Sequence, residues 1–318
     1  MQDQAINAAL GERETRLSTA FPGGEEELNT RQLSQIQLVW MRFRRHKLAM
    51  IGASMLLFWI VVAIIGPFFM VENPYDALTY SATNQNLAPS LHSWNFILGT
   101  DTSGHSIVSQ IVWGARVSLV VGIVSSALTT LIGTIVGAIS GYFGGFADTV
   151  IQRVVDIFLT LPGFPILLIV SAFVGGGSVT LIIAIFTFFG WAGVARLVRS
   201  SFLGLRNQEF VEAARAVGVP PLRIVFKHVL PSALRPVIVT ATLGVSGFIV
   251  AEASIDFLGV GISYPTPSWG NIITGAQDAF GLGNWWWAVF PGLALVSTVL
   301  GVNFMGDGLG DALDVRSK

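Results

Sequence analysis

The chain has 318 residues, of which 52% are hydrophobic and only 12% are charged, and its mean hydropathy is +0.66. This composition is typical of a protein with several membrane spans, so we expect the lipid bilayer around it, and a soluble globular enzyme is excluded. The net charge of -1 gives no reason to expect nucleic acid as a partner. The absence of cysteine excludes disulfides and thiolate metal sites.

The basic residues lie in two clusters. Seven of the 18 Lys and Arg residues precede residue 48, and another seven lie between residues 196 and 235. Because basic residues concentrate in cytoplasmic segments, we expect the N-terminal tail (1–46), the loop 196–233 and the C-terminus in the cytoplasm. The tail lacks the early apolar segment of a cleaved signal, so we also expect the first span to be retained.

Mainly apolar stretches of about 20 residues, long enough for a hydrocarbon core of about 30 Å, mark the membrane spans. The uncharged stretch 157–195 counts as two spans, because Gly175-Gly176-Gly177 interrupts it. Within a permease domain of residues 47–315, the predicted spans are 48–69, 117–140, 154–174, 179–195, 234–257 and 287–305, with external loops 71–113 and 258–285. The sequence therefore predicts an all-α polytopic membrane protein with six transmembrane helices.

The second span carries a stripe of small residues, Gly133, Gly137 and Gly141. Their spacing places the three glycines on one face of a helix, where another helix can approach closely. The approaching helix belongs either to this chain or to a second subunit. The sequence leaves these two alternatives open.

The basic loop predicts two short helices joined by a sharp turn. Glu209 and Glu212 fall in the first half of a helix over 208–217, where the helix dipole favours acidic residues. Gly218 then suits the left-handed position that often ends a helix. The first helix of the loop is therefore expected to end at this glycine.

The second helix of the loop is expected to begin at a pair of prolines. Pro220 and Pro221 fit its opening turn, and we expect it to stop before Pro231. Small side chains at Ala213 and Ala214 leave room for a partner surface to come close. Such a loop suits a docking site for a soluble protein, and the alternative is a solvated basic loop that binds anionic lipid.

Three acidic residues fall at or near membrane depth, where an unpaired charge costs at least about 2.5 kcal/mol. Asp156 follows Arg153 by one helical turn, so we expect a structural ion pair between these two residues or an interface anchor. Glu252 and Asp256 share a face at the external end of the fifth span. They are either structural carboxylates or groups at the translocation path or at a binding-protein contact.

No feature of the sequence indicates catalysis. The chain contains no Gly-Lys dipeptide, and therefore no Walker A loop that could hold nucleotide phosphates. Its four histidines are far apart and show no metal-ligand spacing. We therefore expect no catalytic residue, no metal site and no cofactor in this chain.

The basic loop resembles the EAA loop of the inner-membrane permease subunits of bacterial ABC importers. The matching residues are Glu212-Ala213-Ala214, Gly218 and Leu230-Pro231. His228 takes the place of an aliphatic residue of the general motif, as it often does in peptide-type permeases. The resemblance implies a loop that couples to an ATPase through Glu209, Glu212, Ala213, Ala214, Gly218, Pro220, Pro221, His228, Leu230 and Pro231.

Further segments resemble the C-type subunit of the dipeptide/oligopeptide/nickel permease family. Residues 114–119, 257–261, 265–270 and 306–309 match its motifs, in order along the chain. The sequence departs from the family at His105-Ser106, where Arg-Asp is usual, and at Asp256, where Ser is usual. These departures make oligosaccharide an alternative to the di- or oligopeptide cargo that the resemblance implies.

The same resemblance implies a type I importer permease fold in a prokaryotic inner membrane, in which this chain forms half of the translocation path. The implied partners are a second homologous permease subunit, two cytoplasmic ATP-binding subunits that hold ATP and Mg²⁺, and an extracytoplasmic substrate-binding protein. Glu252, Asp256 and Trp269 are the candidates for the path or for an external contact.

The competing hypothesis is an ATP-independent channel or secondary transporter. Such a protein would use intramembrane charges and broken helices for ion coupling. Here the backbone broken by glycine and proline lies in the external loops, and no inverted repeat is visible in the sequence. The importer permease is therefore the preferred hypothesis.

Overall fold

The computed structural model describes residues 35–70, 84–91, 94–175, 177–277, 279, 281 and 283–314. Within these residues the regular secondary structure is helical, and the pairing of extended backbone is limited to one antiparallel bridge between Thr100 and Ser106. The chain divides into two units, residues 1–40 and 41–318, and the helix bundle described below belongs to the second.

Eleven α-helices are defined in the described residues. A π-helical turn, Val225–Val229, links the eighth to the ninth. In chain order the helices are α1 (Gln35–Arg45), α2 (Lys47–Ile65), α3 (Ile107–Phe143), α4 (Gly145–Thr160), α5 (Gly163–Val174), α6 (Val179–Leu205), α7 (Glu209–Ala216), α8 (Pro221–Ile224), α9 (Leu230–Phe257), α10 (Trp269–Gly275) and α11 (Trp286–Leu313).

The all-α membrane fold predicted from the sequence is confirmed. In the described part of the chain, five helical segments are long and apolar enough to cross a bilayer, and α4 with α5 forms a broken sixth. The five are Lys47–Phe68, Ile107–Phe143, Val179–Leu205, Pro221–Phe257 and Trp286–Leu313.

The predicted third span, 154–174, is not one continuous helix. α4 and α5 meet at an angle of 83°. The break falls at Leu161, whose backbone is extended with ψ of 136°, and at Pro162, which follows it. A proline disfavours the helical conformation of the residue before it and cannot donate a backbone hydrogen bond, so the helix ends there.

Three helices extend well beyond their predicted spans. One is α11, which runs to Leu313, past the predicted end at residue 305. α3 begins at Ile107, within the predicted external loop 71–113, and the Ser106 hydroxyl caps it by accepting from the Ser109 amide at 3.3 Å. α6 continues to Leu205, past the predicted end at residue 195. The length of an apolar stretch shows only which part of a helix lies in the hydrocarbon core. At 1.5 Å per residue, a helix as long as α3 is longer than that core, which is about 30 Å thick.

The glycine stripe of α3 packs against α6 of the same chain, which settles the alternatives left open above. A Cβ atom at Gly137 would lie 2.4 Å from the Ala195 carbonyl oxygen, and one at Gly133 would lie 2.6 Å from Val194 Cβ. A Cβ at Gly141 would lie 2.6 Å from Phe202 Cβ. The absence of side chains at these three positions therefore permits a close approach of α3 to α6.

Ion pairs fasten α4 to α6. Arg199 binds Asp148 in a bidentate pair, with Nε to Oδ1 at 2.6 Å and Nη2 to Oδ2 at 2.7 Å. Asp156 pairs with Arg196, so the expected pair between Asp156 and Arg153 is wrong. Arg196 lies on the neighbouring helix, so its contact with Asp156 depends on how α4 packs on α6, which spacing along one helix does not reveal.

We call the two ends of the bundle the loop end and the far end. The loop end carries residues 206–229, together with the end of α3, where Gly141 meets Phe202. His46, at the start of α2, lies 3.4 Å from Asp311 of α11, so the start of α2 and the end of α11 meet. The far end carries the start of α3 and the end of α2, where Gly66 meets Val112.

Replacing Gly137 by alanine should destabilise the bundle. The new methyl group would meet the α6 backbone at 2.4 Å, and overpacking of this kind costs about 1–3 kcal/mol. The matched control is Gly193→Ala on α6, where a Cβ has no neighbour within 4 Å and removal of a helical glycine gains about 0.5–1 kcal/mol. Thermal unfolding in detergent should therefore shift in opposite directions. An unchanged midpoint for Gly137→Ala would contradict the close packing.

Candidate functional site

The turn between α7 and α8 has the backbone conformation that the sequence predicts. Gly218 has φ of +79°, the left-handed region that an L side chain disfavours. Its amide donates to the Arg215 carbonyl at 2.9 Å, and the Val219 amide donates to the Ala214 carbonyl at 3.1 Å. Pro221 is then the first residue of α8. The two helices are joined by a short, hydrogen-bonded elbow.

The prediction that the second loop helix stops before Pro231 is wrong. The helical chain runs without interruption from Pro221 to Phe257, through the π-helical turn. In that turn the Leu230 amide donates to the carbonyl of Val225, five residues back. A proline within a regular α-helix clashes with the carbonyl four residues earlier, and the wider turn before Pro231 accommodates its ring. His228 lies half-buried within this turn.

The inner face of the loop packs into the bundle. Val211 of α7 and Val229 of the π turn are fully buried, and Ile224 is 1% exposed. These side chains form one apolar cluster with Phe202 of α6 and Val237 of α9. The loop is therefore a folded part of the bundle, held in a fixed position at the end of α6, and not a loose solvated segment.

The outer face of the loop presents a different set of groups. Glu209, Glu212 and Ala213 point outward, whereas Ala214 is buried. The outer face also exposes apolar side chains, whose burial by a partner would be favourable. The exposed apolar side chains are Phe210 (43% exposed), Val217 (81%), Leu222 (61%) and Phe226 (65%), and we call them the apolar patch.

At the far end, the two carboxylates of α9 are buried and hydrogen-bonded. Glu252 is fully buried and accepts from the Ser118 hydroxyl, at 3.3 and 3.2 Å from its two oxygens. Asp256 is 2% exposed, accepts from the Ile262 amide at 2.6 Å, and accepts from the Ser268 hydroxyl. Buried polar groups need such partners, and these contacts favour the structural interpretation of both residues.

Trp269 lies in the packed interior next to these carboxylates. Its side chain is fully buried, and its indole Nε1 donates to the Ile111 carbonyl at 3.1 Å. Its ring meets that of Trp59 edge to face, with centroids 5.1 Å apart. Its amide donates to the Ser118 hydroxyl at 3.3 Å. Two of the three candidates for the translocation path, Glu252 and Trp269, thus contact Ser118 of α3. The third, Asp256, is bound by Ile262 and Ser268 instead.

Ser118, Ser268 and Asn271 are site residues that the sequence interpretation missed. Ser268 caps α10 and accepts from the Asn271 amide at 3.1 Å, while Asn271 accepts in return from the Ser268 amide at 2.9 Å. The spacing of these two residues is that of a capping box, so this signal was present in the sequence. Ser118 carries no local signal, because its partners lie far away along the chain.

His105, where the sequence departs from the expected motif, lies in a turn at the start of α3. The Asp101 carboxylate accepts from the amides of Ser103 and His105, both at 2.8 Å, and from Gln110 Nε2 at 2.7 Å. His105 Nδ1 lies 3.2 Å from the same carboxylate. His105 therefore belongs to the structure of this turn.

The fold and these sites define the class of protein: a multi-pass membrane permease with a folded loop at one end. Residues 133–318 match the family described as binding-protein-dependent transport system inner membrane component. Residues 34–89 match the N-terminal transmembrane domain of oligopeptide transport permease C. The chain belongs to the first of these families, and it is a permease subunit of an ABC importer. The resemblance noted in the sequence is confirmed.

Curated relatives extend the match over most of the chain. The dipeptide transport system permease protein of Bacillus subtilis is 38% identical over 286 residues, which are 90% of this chain and 87% of the relative. A glutathione transport system permease protein of Shigella flexneri is 40% identical over 88% of this chain and 90% of its own length. The oligopeptide transport system permease protein of Bacillus subtilis is 36% identical over 95% and 96%.

A solved structure supports the fold assignment. An inward-facing structure of the MetNI methionine ABC transporter matches with a TM-score of 0.53 and 26% sequence identity. The match covers 64% of this chain and 96% of the matched chain. The type I permease fold expected from the sequence is thereby confirmed.

Removal of the Asp256 carboxylate should loosen the segment between α9 and α10. In Asp256→Ala the buried Ile262 amide loses its acceptor, which costs about 1–3 kcal/mol. Thermal unfolding and limited proteolysis of residues 258–268 measure the effect. The control is Ser254→Ala on the same helix, whose exposed hydroxyl bonds only its own backbone and whose loss should change stability by less than about 0.5 kcal/mol. Equal stability of the two variants would show that the carboxylate is dispensable.

Proposed function

We propose that the loop between α6 and α9 docks a cytoplasmic ATP-binding subunit and transmits its movement to the membrane spans. The apolar patch carries this proposal, because it lies on a loop whose inner face is packed into the bundle. A docking surface needs both properties: apolar groups that a partner can bury, and a rigid connection that moves the bundle when the partner moves. A solvated loop that binds anionic lipid needs neither.

The continuous helix provides a route by which movement of the loop would reach the membrane. α8, the π turn and α9 form one helical segment from Pro221 to Phe257, so displacement of the elbow is passed directly into a membrane span. α7 is linked to the end of α3 by Arg215, which lies over the Tyr142 ring at 5.7 Å. We propose that closure of two ATP-binding subunits moves two such loops together and changes the side to which the path opens.

The proposed orientation places the loop end in the cytoplasm. The ends of α2 and α11 that meet through His46 and Asp311 lie at the same end of the bundle as the start of α9, because Gly310 of α11 packs against Val239. The basic clusters of the sequence flank these same elements. The positive-inside rule then supports cytoplasmic N- and C-termini.

The proposed assembly contains a second, homologous permease subunit and an extracytoplasmic substrate-binding protein. ATP and Mg²⁺ are held by the ATP-binding subunits, since this chain has no Walker A loop. Among the described residues, no three His, Asp or Glu side chains are grouped to hold a metal ion. The chain's own role is to form half of the path, with no cofactor of its own.

The proposed cargo is a peptide. The relatives reported above are named for transport of dipeptide, glutathione and oligopeptide. The departure at His105 was one reason to keep oligosaccharide as an alternative, but this side chain is engaged by Asp101 in a local turn. It therefore gives no specific reason to expect a sugar.

Substitution of Phe226 tests the docking role of the apolar patch. Phe226→Ser should reduce copurification of the ATP-binding subunits roughly tenfold, because burial of a phenylalanine contributes about 1.5–3 kcal/mol. The control is Phe146→Ser, at a residue that is 85% exposed in the first turn of α4 and lies outside the loop. Equal losses in both variants, or none in Phe226→Ser, would contradict docking at the patch.

Substitution of Gly218 tests coupling separately from docking. An L side chain in the left-handed conformation costs about 1–2 kcal/mol, and a Cβ at this position has no neighbour within 4 Å, so the penalty arises from the backbone alone. Gly218→Leu should lower oligopeptide uptake into proteoliposomes roughly tenfold while ATP hydrolysis continues. Gly218→Asn should retain most uptake, since asparagine tolerates this conformation. Normal uptake by a stably inserted Gly218→Leu protein would contradict the proposal of a rigid elbow.

A further inference from the structure

We propose that the far end of this chain holds a phospholipid in a groove between α2 and α3, with the lipid phosphate bound by Arg116. The groove has a volume of about 590 Å³. This size is typical of sites that hold small organic ligands. Of the described residues that line it, Arg116 is the one with a formal charge, and the other walls are apolar apart from the indole nitrogen of Trp113.

Arg116 lies at a depth where a charged group needs a partner. It lines the groove together with Pro67 and Phe68, the last residues of the first span, which places it at the edge of the bilayer. The four ion pairs between described residues involve other side chains, and Arg116 is exposed. A guanidinium in this position binds a phosphate in a bidentate manner, and lipid headgroups present phosphates at this depth.

The apolar walls extend from the arginine toward the middle of the membrane. α3 runs inward from Arg116, and the first span runs outward through α2 to Phe68, so antiparallel segments form the two sides of the groove. A cation at the mouth and an apolar channel below it match the two parts of a phospholipid, its headgroup and its acyl chain. The apolar side chains that argue for the acyl-chain site are Ile60 and Ile64 of α2, Phe68 just after it, and Val120, Ile123 and Val124 of α3.

The shape and charge of the groove favour a lipid over a protein segment. A transmembrane helix would have to bring a carboxylate to Arg116 at the membrane edge, and burying such a pair carries a desolvation cost for both ions. A lipid phosphate is already present in the headgroup layer and stays partly hydrated there. Trp113 lines the groove one turn outward from Arg116, where an amphipathic ring is favoured.

Photolabelling with a defined lipid tests the site. The full chain is reconstituted into vesicles of phosphatidylethanolamine and phosphatidylglycerol, the latter with a diazirine on its acyl chain, and labelled peptides are identified by mass spectrometry. Label should concentrate on residues 60–68 and 120–124. Arg116→Gln should lower this label roughly tenfold, as expected for loss of a charge-assisted hydrogen bond, and Arg116→Lys should retain most of it.

Two further variants keep the test decisive. Arg153→Gln removes another exposed arginine, on α4, and should leave the label unchanged. Val120→Phe fills the groove while keeping Arg116, and should also abolish the label, so the proposal stays testable if Arg116→Gln does not fold. Undiminished label in Arg116→Gln would overturn the proposal. Label spread evenly over all lipid-facing helices would overturn it as well, as would a photoreactive residue at Ile123 that captures another subunit in the intact transporter.

Discussion

The close approach of α3 to α6 is the contact on which the rest of the bundle depends. Gly133, Gly137 and Gly141 bring the two helix backbones together without intervening side chains. Phe202 of α6 is thereby held against the end of α3, and the inner face of the loop packs on this same phenylalanine. The ion pair between Asp148 and Arg199 adds α4 to the same assembly. A shift between α3 and α6 would therefore move the loop and the broken span together.

The same helix organises the far end by hydrogen bonding. Ser118 of α3 donates to Glu252 of α9 and accepts from the amide of Trp269 in α10. The Ser118 hydroxyl thus links α3 to α9 and α10, and its partners Glu252 and Trp269 are both buried. In the proposed function, the permease changes the side to which its path opens while its spans stay in lipid. A single helix that is tightly packed at one end and hydrogen-bonded at the other is suited to transmit such a movement.

Local sequence signals predicted the parts of the loop that depend on backbone chemistry. Gly218 adopts the left-handed conformation expected of it, and α8 starts at Pro221. The end of α8 could not be predicted in the same way. A proline such as Pro231 normally ends a helix, but here a wider π turn accommodates its ring and the helix continues. The number of apolar spans was predictable, whereas the angle between α4 and α5 depends on what each half packs against.

The sequence by itself determined the membrane environment, the helical class, the approximate spans and the residues of the loop, because these follow from hydropathy, charge distribution and backbone preferences within a few residues. The tertiary structure decided which groups meet. Asp156 pairs with Arg196 and not with its neighbour Arg153, and the glycine stripe faces a helix of its own chain. Glu252 and Trp269 are buried and both contact Ser118, and Asp256 is buried in contact with Ser268. Such contacts join residues far apart in the chain, and local patterns carry no information about the direction from which a partner arrives.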